Sequence, residues 1–143
     1  PVDVQRVAAP IGQDFDAACG LEVSGQPVAV RGEARLLRRL IRNLLDNAQR
    51  HAPGAAVEVA VEPLRDGGAR LTVADRGPGI PEAERDRIFE PFYRVPGAKP
   101  DSDGAGLGLA LVRQIARRHG GDVRCLPRPN GGSVFEVTLT DRC

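Results

Sequence analysis

"EARLLRRLIRNLLDNAQRH", residues 33–51, carries the clearest periodicity in the chain, and the rest of the reading is built outward from it. Leu37, Leu40, Ile41, Leu44, Leu45 and Ala48 recur at a spacing of 3.6 residues, which predicts a helix with one apolar stripe. "HAPG" (51–54) ends it. Asn43, Asn47, Arg50 and His51 stand at i, i+4, i+7 and i+8 and form a polar strip beside the apolar one. Asparagine prefers caps and turns, so two of them a turn apart in mid-helix suggest a task. An amide oxygen is a hard, neutral ligand suited to Mg²⁺, which shares its shell with waters and substrate phosphates. The same four side chains also suit an ordinary solvated helix face.

On either side of this helix the pattern changes. "GLEVSGQPVAVRG" (20–32) reads as two short strands around a Gly-Gln-Pro turn, and residues 5–19 form a weaker helical stretch. "AVEVAVEPL" (56–64) and "ARLTVAD" (69–75) alternate as strands do and are joined by the turn "RDGG". A short helical piece is expected over 81–88, then a loop over 95–105 rich in Pro, Gly, Asp and Ser. A second helix covers 106–119 with Leu107, Leu111 and Ile115 on one side, and "HGG" terminates it. "DVRCLPRP" and "GGSVFEVTLT" close the chain as a hairpin. Strands and helices mix without strict alternation. The fold class is therefore α+β: a two-layer α/β sandwich whose mixed, mostly antiparallel sheet is covered on one face by helices.

With 143 residues the chain is long enough for one domain with a real core. A net charge of +1 gives no electrostatic case for nucleic acid or an anionic membrane. No apolar run reaches spanning length. The sequence contains no Met and is expected to be a piece of a longer protein. Three scattered cysteines without a CxxC pair argue against a disulfide framework or a zinc site, and for a reducing cytosol.

Two glycine-rich stretches carry the remaining chemistry. In "DSDGAGLGLALV" (101–112), Gly104, Gly106 and Gly108 run into a helix start, where glycine costs helix propensity. The first turn of a helix has unpaired N–H groups at the positive end of its dipole. Glycines there let the backbone press against an anion, which makes a phosphate cradle. No Gly-Lys-Ser/Thr follows, so it is not a P-loop, and on its own the stretch equally fits a flexible loop. In "DRGPGIP" (75–81), Asp75 ends a strand, and Gly77 and Gly79 permit a tight turn. An ionised Asp only accepts hydrogen bonds, so it matches the exocyclic amino group of adenine and rejects the carbonyl of guanine. An ordinary Asp-Gly turn is the plainer reading.

Taken together, "RNLLDNAQRHAP", "DRGPGIP", "IFEPFYR" and "DGAGLGLALVRQIARRHGG" resemble, in order, the N, G1, F and G2 boxes of the catalytic ATP-binding domain of sensor histidine kinases. That family shares its Bergerat fold with DNA gyrase. The resemblance covers about residues 20–140, read as a single ATP-binding domain with a flexible ATP lid at 95–105. It implies that Asn47 holds Mg²⁺, that Asn43 stands near the phosphates, and that Asp75 reads adenine, with Gly77, Gly79 and Ile80 lining the base pocket. It also implies that Gly104, Ala105, Gly106, Leu107 and Gly108 bind phosphate. Tyr93 and Arg94 match the aromatic–basic pair after the F box, and Arg94 would stabilise charge on the transferring group. Arg50 and His51 replace the family's Lys and Tyr near the nucleotide; Arg50 keeps the charge and changes its geometry.

In water-activating members of the superfamily a helix glutamate stands where this chain has Asn43, and an amide is no general base at neutral pH. ATP is therefore expected to be held for another acceptor. The family's acceptor histidine lies in a separate dimerisation domain, and neither His51 nor His119 has that setting. The resemblance further implies relay to a response regulator, a cytoplasmic location for this domain, and a membrane-bound homodimer as the whole protein. An anti-sigma-factor serine kinase of the same superfamily and an inactive ATP-binding module are the alternatives. Phe89 and Phe92 are expected to anchor the lid base by packing. "ARRH" (116–119) is expected to place positive charge at a helix C-terminus.

Overall fold

A computed structural model of the chain describes residues 2–3, 21–25, 29–30, 32–52, 55–65, 67–93 and 107–140. In chain order the elements are β1 (Val2–Asp3), β2 (Leu21–Gly25), β3 (Ala29–Val30), α1 (Ala34–His51), β4 (Val57–Pro63) and β5 (Ala69–Ala74). Two 3₁₀ turns follow (Glu82–Glu84 and Arg87–Phe89), then α2 (Gly108–Arg118), β6 (Asp122–Pro127) and β7 (Ser133–Leu139). The helical stretch expected over 5–19 and the lid over 95–105 lie outside the described residues.

The main sheet has the order β2-β4-β5-β7-β6. Only β2 and β4 run parallel, Leu21 opposite Val57; the other three pairings are antiparallel. The sandwich expected from the sequence is therefore present, with one correction. The two short strands read in "GLEVSGQPVAVRG" are present but do not pair with each other: β2 joins the main sheet, and β3 pairs antiparallel with β1 in a separate two-stranded sheet. The expected helix at 81–88 is two 3₁₀ turns instead, entered from Pro81.

Alternation on the strands decides which face is covered. Val57, Val59 and Val61 of β4, Leu71 and Val73 of β5, and Phe135, Val137 and Leu139 of β7 point to one side and are buried. Onto them α1 sets Leu37, Leu40, Ile41, Leu44, Leu45 and Ala48, the stripe read from the sequence. Each fully buried leucine contributes about 1.5–3 kcal/mol. Across the other face run exposed cross-strand pairs such as Arg70–Glu62 (3.5 Å) and Arg124–Glu136 (2.9 Å).

The second helix departs from expectation in its phase. It begins at Gly108, with Leu107 as N-cap, and buries Ala110, Val112, Ile115 and Ala116. Leu107 is 45% exposed and Leu111 only partly buried, so the apolar face lies around Val112 and Ile115. Because Leu107 precedes the first helical residue, the helical phase used to place it on the stripe does not apply. No described helix is long and apolar enough to cross a membrane.

Candidate nucleotide site

The polar strip of α1 is graded in burial. Asn43 is half-buried, Asn47 is 7% exposed, and Arg50 and His51 are exposed. The Nδ2 of Asn47 is buried and has no partner among the described residues. A buried amide group without a partner costs about 1–3 kcal/mol, which a group bound beside it would recover. The two ends of an amide have nearly the same shape. A half-turn therefore presents Oδ1 at the same point, and that oxygen fits a hard cation such as Mg²⁺.

Asn43 reaches across to the other helix, where its Nδ2 donates to the carbonyl of Gly108 at 3.3 Å. Leu107 makes no side-chain cap, and the first turn of α2 holds no acidic residue. Among the described residues nothing caps the first N–H groups of α2, which stand at the positive end of its dipole beside Asn43. A Cβ built on Gly108 meets nothing within 4 Å, so the helix entrance faces open space. Gly104, Ala105, Gly106 and Arg94 lie outside the described residues.

Asp75 follows β5 directly and is 1% exposed. Its Oδ1 accepts the N–H of Gly77 (2.9 Å) and the N–H of Ser133 (3.2 Å). Among the described residues Oδ2 receives no hydrogen bond. The Gly77–Ile80 turn is pressed between two neighbours. A Cβ on Gly77 would lie 2.9 Å from the carbonyl oxygen of His51. Gly79 has a φ of +82°, and a Cβ there would stand 3.3 Å from the carbonyl of Gly132. Gly132 in turn packs on the backbone of Asp75, where a Cβ would fall 2.1 Å from its carbonyl oxygen. Ile80 packs partly buried against the core, and its carbonyl accepts the Nε of Arg85 at 3.1 Å.

The three clusters named from the sequence therefore meet on one helix. The Asp75 turn touches α1 at His51, the start of α2 touches it at Asn43, and Asn47 stands one turn from each. Eight residues of helix rise about 12 Å, which sets the distance along α1 between the two ends of the candidate site, hereafter the groove.

Around this line the remaining residues divide. Tyr93 is tied within its own segment, its hydroxyl donating to Glu84 Oε2 and its N–H to the carbonyl of Glu90. Phe89 is buried and packed, edge-on to Phe135 at 6.2 Å, with the Arg113 guanidinium 4.9 Å above its ring. Phe92 is not: it is 70% exposed, with a φ of +64° that turns it away from the core. His119 also departs from the expected helix-end cation, being 2% exposed and hydrogen-bonded through both ring nitrogens.

Sequence reading missed Ser133, Gly132 and Arg85, which hold the Asp75 turn in place; the available signal was "NGGS" (130–133), read only as a hairpin turn. Near the acid lies Cys125, whose thiol is pushed up to about 11 by burial and by the Asp75 charge, against a Ser133 hydrogen bond and the Arg85 charge. It is buried and free.

Residues 32–142 match the family described as histidine kinase-, DNA gyrase B-, and HSP90-like ATPases. Sensor protein CutS of Streptomyces coelicolor is 41% identical over 150 aligned positions, covering 97% of this chain and 35% of the relative. The chain thus spans about a third of that relative's length. Among solved structures, the mycobacterial sensor histidine kinase MprB is 34% identical with a TM-score of 0.85, covering 99% of this chain and 96% of the other. The ATP binding domain of PrrB from Mycobacterium tuberculosis is 26% identical with a TM-score of 0.80, covering 99% and 96%.

Proposed function

The chain belongs to the histidine kinase-, DNA gyrase B-, and HSP90-like ATPase family, and we propose that it is the ATP-binding catalytic domain of a sensor histidine kinase. One observation carries the reading: Asn43, Asn47 and the end of α1 stand in one line, with the start of α2 at one end and the Asp75 turn at the other. That line matches a nucleotide laid along the helix, base at Asp75 and phosphates at Gly108.

In this reading Asp75 accepts from the adenine amino group, and Gly77, Gly79 and Ile80 line the base pocket. Asn47 holds Mg²⁺, which neutralises charge on the phosphates when bound. The N–H groups at the start of α2, with Gly104, Ala105, Gly106 and Leu107, cradle the phosphates. Arg50, His51 and Tyr93 border the nucleotide, and Arg94 stabilises charge on the transferring γ-phosphoryl group. The domain is a single unit with its core over about 20–140 and its lid over 95–105.

Phosphoryl transfer needs mainly in-line placement and charge stabilisation, and these residues supply both. The lone pair of an acceptor imidazole attacks the γ-phosphorus, the bond to the β–γ bridging oxygen breaks, and ADP leaves with that electron pair. The acceptor belongs to a dimerisation domain outside this chain, and its phosphoryl group passes on to an aspartate of a response regulator. The parent is a membrane-bound homodimer with this domain in the cytoplasm.

The test mixes this chain with a separately produced histidine-bearing helical hairpin from a parent kinase and γ-labelled ATP. Acid-labile, base-stable label on the hairpin is expected. Label on a serine, or ATP binding without transfer to any hairpin, overturns the assignment.

A further inference from the structure

The first residue of α1 is capped in an unusual way. Glu33 is the N-cap and makes no side-chain cap of its own. In a capping box its N–H would be taken by a side chain three residues on, but Leu36 stands there and has no acceptor. The acceptor comes instead from the C-cap of α2: the Glu33 N–H donates to His119 Nε2 at 3.2 Å. The other ring nitrogen, Nδ1, lies 2.8 Å from the carbonyl of Ile115. A carbonyl only accepts, so Nδ1 carries the proton and Nε2 the lone pair.

The grip is close and doubled. A Cβ on Gly32 would fall 2.3 Å from His119 Cδ2, so only glycine admits the ring. Arg118, one residue before, holds the Glu33 carboxylate at 2.8 Å. The end of α2 is itself fixed. Gly120 donates to Arg117 and Gly121 to Ala116, the two bonds of a Schellman motif, and Thr140 N–H donates to the His119 carbonyl at 3.1 Å.

The two helices are antiparallel and joined at two points: Glu33 to His119, and Asn43 to Gly108. Ten residues of α1 and eleven of α2 separate these joints, about 15 Å on each helix. The buried imidazole thus sets the axial placement of α2 on α1 at the end remote from the nucleotide groove.

We propose that His119 is a positioning residue for phosphate binding: its contact with Glu33 fixes where the entrance of α2, at Gly108, stands relative to Asn47. The inference rests on the nucleotide reading of the groove. Adenosine engages only the Asp75 end, which does not depend on this joint. ATP engages both ends.

The test measures affinity for ATP with Mg²⁺ and for adenosine in the native chain, His119→Phe, His119→Gln and Arg118→Ala. Phenylalanine fills the space and leaves the Glu33 N–H without an acceptor, so ATP affinity falls about tenfold while adenosine affinity changes less than about twofold. Glutamine places Oε1 near the Nε2 position and restores most of the loss. Arg118→Ala, at an exposed site, folds in any case and weakens ATP alone, by about two- to threefold. Equal losses for ATP and adenosine, or no loss in His119→Phe and Arg118→Ala, overturn the positioning role. If the native chain itself fails to bind ATP, the nucleotide reading is what fails.

Discussion

Asp75→Asn separates recognition from folding at the base-binding end of the proposed nucleotide site. The wild-type carboxylate spends Oδ1 on the N–H groups of Gly77 and Ser133, and Oδ2 receives nothing from the described residues. An asparagine keeps an oxygen at the first position and puts an NH₂ at the second. Two hydrogen bonds survive with a neutral acceptor, so the fold loses about 1 kcal/mol and Tm falls by a few degrees. The adenine amino group, by contrast, loses a charge-assisted bond of about 1.5–3 kcal/mol and meets a donor in its place. At 1.4 kcal/mol per decade the lost bond alone is about 10- to 100-fold in ATP affinity, and the facing donors add to it. Guanine offers a carbonyl at that position, so the preference for ATP over GTP narrows or reverses. Asp75→Ala is the poorer variant: it strips both N–H groups of their acceptor, a cost of about 2–6 kcal/mol that reaches the whole stability of a marginal domain. Calorimetric titration of the Asn variant with ATP and GTP, alongside its thermal melt, decides the matter. Native-like ATP affinity in a folded Asp75→Asn chain refutes the adenine-reading role.

The other expectations follow from the same atoms. Asn47→Ala removes an amide that is already unpartnered, so it costs little stability; ATP affinity falls about tenfold or more in Mg²⁺ and less than about twofold in EDTA. Equal losses in the two buffers would make Asn47 a packing residue. Gly108→Ala adds a Cβ in open space at the first helical position, so the melt rises by the equivalent of up to about 1 kcal/mol while ATP binding weakens; a variant that gains both stability and affinity counts against a phosphate cradle at this entrance. At pH 8 a thiol at about 11 is ionised in only about one molecule in a thousand. Mass-spectrometric mapping after iodoacetamide treatment is therefore expected to find Cys125 unmodified in the native chain and modified in urea. Because the raised value favours the protonated thiol in the folded state, the Cys125 contribution to stability is full below about pH 9 and declines as pH rises towards 11.

Local pattern revealed much of this fold. The stripe of α1 was legible because burial on one side leaves a 3.6-residue signature, and the strands of both hairpins because burial on one face leaves a period of two. Both signatures state what an element wants to bury, not against what. The partner of β2 was hidden for that reason: its parallel neighbour β4 begins 32 residues after β2 ends, and no turn sequence announces the pairing. Ser133 holds Asp75 across 58 positions, and His119 receives Glu33 across 86. An imidazole after "ARR" reads locally as a helix-end charge, and only the neighbouring N–H group makes it an acceptor. Phe92 failed for a different reason. Composition favours burying an aromatic, but a backbone in the left-handed region aims this one outward.

The chemistry turns on Asn43. A residue at this point of the groove is close to the start of α2, as its bond to Gly108 shows. A carboxylate here could take a proton from water, but it could not donate to the Gly108 carbonyl; two acceptors would face each other across the joint. Asparagine reverses both properties. Its amide has no useful basicity, and its NH₂ ties α1 to the helix whose first turn is proposed to hold the phosphates. The same residue that offers water no base thus also ties α1 to the start of α2. In the proposed reading, a site built this way favours holding a phosphoanhydride over hydrolysing it, and the nucleophile is the acceptor chain presented to it.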